Sequence, residues 1–330
     1  MSIEERSRLV RGLALAAGFD EVGIAPAGPV GRAAELHAWL AAGRHGEMDY
    51  LRRHRELRVD PCKLLPGARS VIVVAQQYRQ TRDGRPASGG RAERAGGEML
   101  PGPRGRIARY AWGRDYHRVL RRKLMALADE LQAAIGEPIE TRVCVDTAPI
   151  LEREAGASAG VGWIGKNTML IHPRLGSFFF LGEIVTTLEL RPTEAITDHC
   201  RSCHRCLDAC PTRALDAPYH MDARRCIAYL TIEHRGPVPA DLQPLMGDWV
   251  YGCDICQDVC PFNAKASPTR ESAYELSDRY PLPPRPLLSE LREWTPEQHA
   301  AQLAGSAMKR ATPDMLRRNA AIAAGNAAAR

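Results

Sequence analysis

The sequence predicts an α/β (α+β) N-terminal domain, then a compact cysteine module, then a short helical tail. Three observations carry this prediction. β-Branched runs alternate with amphipathic helical segments through the first 190 residues, eight of the ten cysteines crowd between Cys200 and Cys260, and the proline-rich stretch RYPLPPRPLL precedes an Ala/Leu-patterned end. The expected domains are 1–190, 191–268 and 269–330, the last a linker plus a truncated repeat-like tail.

Taken in order, residues 4–17 place Leu9, Leu13 and Ala16 at helical spacing, and DEVGIAPA reads as a strand leaving that helix. GRAAELHAWLAAG and HGEMDYLRRHREL read as two further helices, and SVIVVAQQY as a strand. RIARYAW reads as another strand. DYHRVLRRKLMALADELQAAIG is a long amphipathic helix ending at Gly136, and IETRVCVDT is a strand stopping at Asp146. TMLIHPRLGSFFFLGEIVTTLEL resembles a hairpin, and the tail AGSAMKRATPDMLRRNAAIAAGNAAAR one or two small helices. The order of strands is not readable.

A chain of 330 residues, 45% hydrophobic, buries an ample core without disulfide staples. No 18-residue apolar run occurs and the N-terminus lacks the layout of a secretory signal, so the expected location is the cytoplasm. In that reducing compartment ten cysteines point to metal or redox chemistry. Cys62 and Cys144 stand apart and read as small hydrophobes. A net charge of +6 permits an acidic partner such as RNA without requiring one. The stretch TRDGRPASGGRAERAGGEMLPGPRGR reads as a solvated loop.

Cys200, Cys203, Cys206 and Cys210, followed by Pro211, match C-x2-C-x2-C-x3-C-P. Three thiolates at that spacing wrap one face of a four-iron cube, and the fourth reaches a different cluster. Cys253, Cys256 and Cys260 with Pro261, plus the isolated Cys226, supply the second cube. Interleaving assigns Cys200, Cys203, Cys206 and Cys260 to one [4Fe-4S] cluster, and Cys210, Cys226, Cys253 and Cys256 to the other, a bacterial ferredoxin-like arrangement. Zinc is the competing reading; it would use four thiolates in pairs, leaving Cys206 or Cys210 idle and the prolines without a role.

Several flanking segments resemble epoxyqueuosine reductase: HGEMDYL, VDTAPILEREAGASAGVGWIGKNTMLI, GSFFFLGEI, CRSCHRCLDACPTRAL, RRCIAYLTIEHRGPVP, YGCDICQDVCPFN and AGSAMKRATPDMLRRNAAIAAGN. A plain ferredoxin would share the cysteines but not GWIGKN. The resemblance implies a cobalamin-binding, cobalamin-dependent N-terminal domain, fed by the clusters, that removes the epoxide oxygen of epoxyqueuosine at a tRNA wobble position. It implies a base-off corrinoid, in keeping with the absence of the histidine-ligand signature: DYHRVL begins like D-x-H-x-x-G, but Leu120 replaces the glycine.

The resemblance also implies that Asp146 is the proton donor. Holding a carboxyl proton near neutrality needs an upward shift of roughly three units, on the order of 4 kcal/mol of desolvation, for which Val143, Val145, Ala148 and Ile150 make an apolar setting. Read without the family, Asp146 ends a strand and caps the helix near Pro149. Gly165, Lys166, Asn167 and Thr168 are the expected corrinoid contacts, with Ser177, Tyr229 and Gln257 behind them; each also reads as turn chemistry. For tRNA phosphates, the arginines of 104–122 and Lys309, Arg310, Arg317 and Arg318 are available. A monomer is expected, with an electron donor that the sequence does not name. The runners-up are a corrinoid reductive dehalogenase-like enzyme, which usually carries an export signal, and an electron carrier without a corrinoid.

Overall fold

The protein is seen in a computed structural model that describes residues 1–80, 102–276 and 282–329. Most of the Arg/Gly-rich stretch and the start of the proline-rich linker lie outside the described residues. The strands are β1 (Glu21–Pro26), β2 (Ser70–Gln77), β3 (Arg106–Ile107), β4 (Thr141–Cys144), β5 (Trp163–Ile164), β6 (Leu170–Ile171), β7 (Phe179–Thr186) and β8 (Trp249–Tyr251). The helices that matter below are α1 (Ile3–Ala16), α2 (Ala33–Ala41), α3 (Tyr116–Ile135), α4 (Glu152–Ser158), α5 (Ile227–Ile232), α6 (Leu288–Glu293) and α7 (Pro313–Ala328).

The main sheet has the order β1-β2-β7-β4 and is antiparallel throughout. β2 is buried along its whole length because both faces are covered. On one face α1 and α3 pack Val10, Leu120, Leu124 and Leu127 against Ile72, Val74 and Ile184. On the other, α4 packs Ala155 and Ala159 against Val71, Val73 and Val185. The α3 sequence explains its place: Asp115 caps its start, buried leucines recur at three- and four-residue spacing, and Gly136 closes it in the left-handed conformation at φ 72°. The expected 168–190 hairpin divides its strands, since β6 pairs with β5 while β7 joins the main sheet.

Two other local expectations change. HGEMDYLRRHREL forms two single turns, Tyr50–Arg53 and Arg55–Arg58, because His54 leaves helical geometry at φ −122°. RIARYAW is a strand only over β3. Beyond it the Trp112 indole N–H donates to the Ile107 carbonyl at 2.7 Å, and Arg109–Ala111 coils into a 3-10 turn.

β3 pairs in parallel with β8, so the N-terminal half reaches into the cysteine module. The tail is built into the same region. α7 buries Met315, Leu316 and Ala320 with Val250, Tyr251 and Leu288. The buried Asn319 donates from Nδ2 to the carbonyls of Thr231 at 3.0 Å and Val250 at 2.9 Å. The tail is thus a strap across the module. Among the described residues, no helix is long and apolar enough to cross a membrane.

Candidate active site

The cysteines sit on tight turns and single-turn helices, Arg205–Asp208 and Ile255–Asp258. Sharp reversals are made by Arg201 and Arg213 with positive φ, and by Gly252, whose φ of 68° starts the loop into Cys253. Pro261 occupies the first helical position after Cys260, where its missing N–H is not needed. Backbone amides of Tyr229 and Ala228 face the Cys226 sulfur, and those of Phe262 and Asn263 face Cys260.

The fold brings the thiols into two electrically linked groups. Cys206 and Cys260 both feel Cys200, and Cys260 also feels Cys203; Cys253 and Cys256 feel Cys226, which feels Cys210. Cys256 in turn feels Cys206 and Cys210, so the groups adjoin. Burial pushes Cys206 up to about 11 and raises Cys200, Cys226, Cys253, Cys256 and Cys260. Such crowded sulfurs become thiolates only around a positively charged core, which iron supplies.

At the end of β4 the chain turns through Asp146 in the left-handed region, φ 47°, a conformation aspartate tolerates better than most side chains. Its backbone N–H donates to Oε1 of Glu152, the first residue of α4. Its Oδ2 accepts from His117 Nε2 at 2.9 Å, and His117 Nδ1 donates to Asp115 at 2.7 Å. Tyr116 stacks on His117 and on Phe180, which fixes the imidazole against the sheet.

The electrostatics correct the expectation for Asp146. Partial burial acts to raise its pKa, but the hydrogen bond and charge of His117 outweigh that and hold the carboxyl below its ordinary value. Half of the Asp146 side chain is accessible to solvent. Val145 and Ile150 are buried, but they point into the two sheet cores and do not surround the carboxylate. The stored proton therefore lies on the imidazole. Burial opposes that charge, yet bonds to Asp115 and Asp146 raise His117 to about 9. Glu152 is the neighbouring carboxyl that is pushed up, to about 7, by burial and by the Asp146 charge.

The remaining expected contacts fall in three places: the β5–β6 turn, the Ser177–Gln257 contact, and the Tyr229–Glu47 contact. Ser177 Oγ donates to Gln257 Oε1 at 2.9 Å, and the Asn263 amide donates to Ser177 Oγ at 2.9 Å. Asn167 is buried with an amide nitrogen that has no partner among the described residues, while Thr168 follows at φ 64°. Gly165 leaves no space for a side chain, since a Cβ would collide with Ile171. Lys166 turns to the other cofactor region: its ammonium donates to the carbonyls of Arg201 and Cys203. The Tyr229 hydroxyl accepts from the Glu47 amide at 2.8 Å, closing against Gly46, where a side chain would clash with it. The buried Asn167 amide nitrogen, without a partner among the described residues, is the expected contact left with hydrogen-bonding capacity for an amide-rich corrinoid edge, whereas Ser177 and Gln257 are buried and spend theirs on each other.

His117 and Glu152 escaped sequence reasoning. His117 lies 29 residues from Asp146, and only the α3–β4 packing brings them together. The visible signal was the Asp-x-His start of α3. Several expected phosphate binders are engaged: Arg310 pairs with Glu233, Arg318 donates to the carbonyls of Leu230 and His234, Arg106 pairs with Asp248, and Arg109 with Asp254 and Asp258. Arg114, Arg118, Arg121 and Arg122 remain exposed around the first half of α3.

Fold and site together define a two-cluster iron–sulfur oxidoreductase with its own proton-handling group. Residues 199–263 match the family model of the 4Fe-4S double cluster binding domain, and residues 58–147 match the model described as epoxyqueuosine reductase QueG, DUF1730. The Pseudomonas aeruginosa epoxyqueuosine reductase is 42% identical over 312 residues, covering 94% of this chain and 82% of that protein. The Escherichia coli K12 epoxyqueuosine reductase is 39% identical over 328 residues, covering 99% and 83%. This chain belongs to the epoxyqueuosine reductase family. Among solved structures, an epoxyqueuosine reductase with a tRNA-Tyr epoxyqueuosine-modified stem loop superposes at TM-score 0.85, 30% identity, covering 98% of this chain and 81% of that one. The Bacillus subtilis epoxyqueuosine reductase, with an aspartate-bearing catalytic loop swung out of the active site, superposes at TM-score 0.81 and 31% identity, covering 96% and 81%.

Proposed function

We propose that this chain reduces epoxyqueuosine to queuosine in the anticodon loop of tRNA, in the cytoplasm, with Asp146 and His117 delivering a proton to the departing oxygen. The observation that carries this reading is the imidazolium–carboxylate pair, His117 Nε2 to Asp146 Oδ2 at 2.9 Å, in a chain whose cysteine module matches a double-cluster domain. Cys200, Cys203, Cys206 and Cys260 would hold one cluster, and Cys210, Cys226, Cys253 and Cys256 the other. Cobalamin, when bound, supplies low-valent cobalt able to open the strained ring.

The chain's own residues do the rest. An epoxide oxygen leaves as an alkoxide unless an acid meets it. His117, bonded to Asp115 and Asp146, holds the proton, and Asp146, half exposed on a turn with φ 47°, is the carboxylate through which it reaches the departing oxygen. Such a pair releases its proton when negative charge develops on a nearby oxygen. Asn167 and Thr168 would meet the corrinoid, and Arg114, Arg118, Arg121 and Arg122, all exposed, would supply cations for the RNA backbone. The test is anaerobic purification with iron, sulfide and cobalamin, followed by mass spectrometry of a stem-loop carrying epoxyqueuosine. Loss of one oxygen is expected; protein loaded with both clusters and corrinoid that leaves the stem-loop unchanged overturns the proposal.

A further inference from the structure

The cysteine module does not surround its first thiol group alone. The β5–β6 hairpin of the N-terminal domain, built from the segment GWIGKN, closes over it. Trp163 pairs with Ile171, and the turn is held by the Gly165 N–H on the Met169 carbonyl and the Thr168 N–H on the Gly165 carbonyl, both at 2.8 Å. Trp163 is buried in one apolar cluster with Ile171 and Cys260, against which Cys200, Ile196 and Phe262 pack. Its ring meets Phe262 edge-on at 4.9 Å and His199 at 5.0 Å. The indole is thereby wedged between the chain just before Cys200 and the chain just after Cys260, two sulfurs assigned to the same cluster.

So placed, the indole N–H is buried and has no hydrogen-bond partner among the described residues. A buried donor left unmade is costly, so a donor kept there calls for an acceptor. The acceptor it faces is the Cys200 sulfur. Burial raises that thiol, and the Trp163 N–H, then the backbone N–H of Lys166, are the foremost groups acting the other way. A neutral thiol is a weak acceptor, whereas a thiolate on an iron cube is a charged one. The orphaned N–H therefore fits the bound cluster.

Lys166 adds a charge to the same place. Its ammonium donates to the carbonyls of Arg201 and, at 3.0 Å, of Cys203, so it lies across the loop between two ligands. Its own carbonyl accepts from the Tyr219 N–H at 3.0 Å, and the Tyr219 hydroxyl donates to Asp198. The Asp198 carboxylate acts against the cation, but the Tyr219 hydroxyl and the Cys200 N–H, at 2.6 Å, both engage it.

We propose that Trp163 and Lys166 set the reduction potential of the cluster held by Cys200, Cys203, Cys206 and Cys260, raising it through N–H donors to the Cys200 sulfur and a cation over the Cys200–Cys203 loop. The inference rests on the ligand assignment given above. The step concerned is a one-electron reduction: an external one-electron reductant gives one electron to the cube, no bond breaks and no proton moves. The added negative charge spreads onto the sulfurs, where an N–H donor and an ammonium stabilise the reduced cube more than the oxidised one. A donor of given potential then fills this cube more completely. Neither residue touches substrate; both are positioning residues that act through Cys200 and its loop.

The experiment uses the full-length protein loaded with both clusters, titrated anaerobically with dithionite and followed by electron paramagnetic resonance. Trp163→Phe keeps an aromatic ring in the wedge and removes the N–H. It should hold parental iron, lower the reduction equilibrium constant of one cluster about tenfold, which is about 59 mV for one electron, and leave the other cluster unchanged. Lys166→Met, which keeps the backbone N–H, should shift the same cluster in the same direction, and Lys166→Arg should restore most of the parental value. Parental potentials in both Trp163→Phe and Lys166→Met overturn the proposal, as does an equal shift of both clusters, which general loosening would produce. If Trp163→Phe loses iron, its role is packing and its share of the proposal falls; a parental potential in Lys166→Met then removes the rest. Cys200→Ala separates the layers. It should lose about half of the iron; parental iron there sinks the ligand assignment, whereas parental potentials with half of the iron lost in Cys200→Ala sink only the tuning.

Discussion

The cysteine module and the acid site solve opposite electrostatic problems. In the module, burial raises six thiols, and those thiols find mainly one another and a few backbone amides. At the acid site every ionised group has an opposite charge in hydrogen-bond reach: Asp115 and Asp146 share His117. The difference teaches what each region is waiting for. Sulfurs that will bind iron can be left without counter-charge, because the metal brings it. Groups that must hold and release a proton need their partner built in, so that neither state is ruinously costly.

Breaking the module gives the largest expected effect. Cys226→Ser removes the one second-group ligand that stands alone in the sequence; iron analysis should fall by about half and turnover should vanish. A parental iron content would show that Cys226 is not a ligand. Breaking the acid site comes next. Asp146→Asn should keep both clusters by absorption and electron paramagnetic resonance, yet lose about 10²- to 10⁴-fold in single-turnover rate.

The pairing can then be sharpened through pH. The folded-state value of His117, about 9, lies above its ordinary 6.5, so the stability it adds is complete below 6.5 and is lost as pH rises through about 9. Glu152, raised from 4.5 to about 7, adds an earlier decline across that window. The melting temperature of cluster-loaded protein should therefore fall with rising pH in two stages. His117→Gln should abolish the upper one; if the upper stage persists, another group is titrating.

The smallest effect is expected on the RNA-facing surface. Replacing Arg121 and Arg122 with alanine should weaken stem-loop binding and flatten its salt dependence by about 0.7 per lost phosphate contact. Binding curves at several salt concentrations that coincide with the parent's would remove these arginines from the interface.

Much of the module was legible in advance because its chemistry is local: the run from Cys200 to Pro211 and that from Cys253 to Pro261 each carry their turn residues with them. The α3 helix was equally readable, from Asp115 to Gly136, since caps and periodicity act over a few residues. RIARYAW misled because its β-branched look was overridden by the turn that Trp112 closes and by pairing with a distant strand. The partners of the tail arginines were not readable, because side-chain type does not reveal that the Glu233 carboxylate bonds Arg310 or that backbone carbonyls bond Arg317 and Arg318.

By itself, then, the sequence determined two four-sulfur groups, the layered α/β character of the first 190 residues, and the aspartate that ends a strand. Only the tertiary structure decided which side chain carries the proton. Residues 115, 117, 146 and 152 come from three separate elements, and a pKa depends on charges within a few ångströms in space, a distance that chain spacing does not encode.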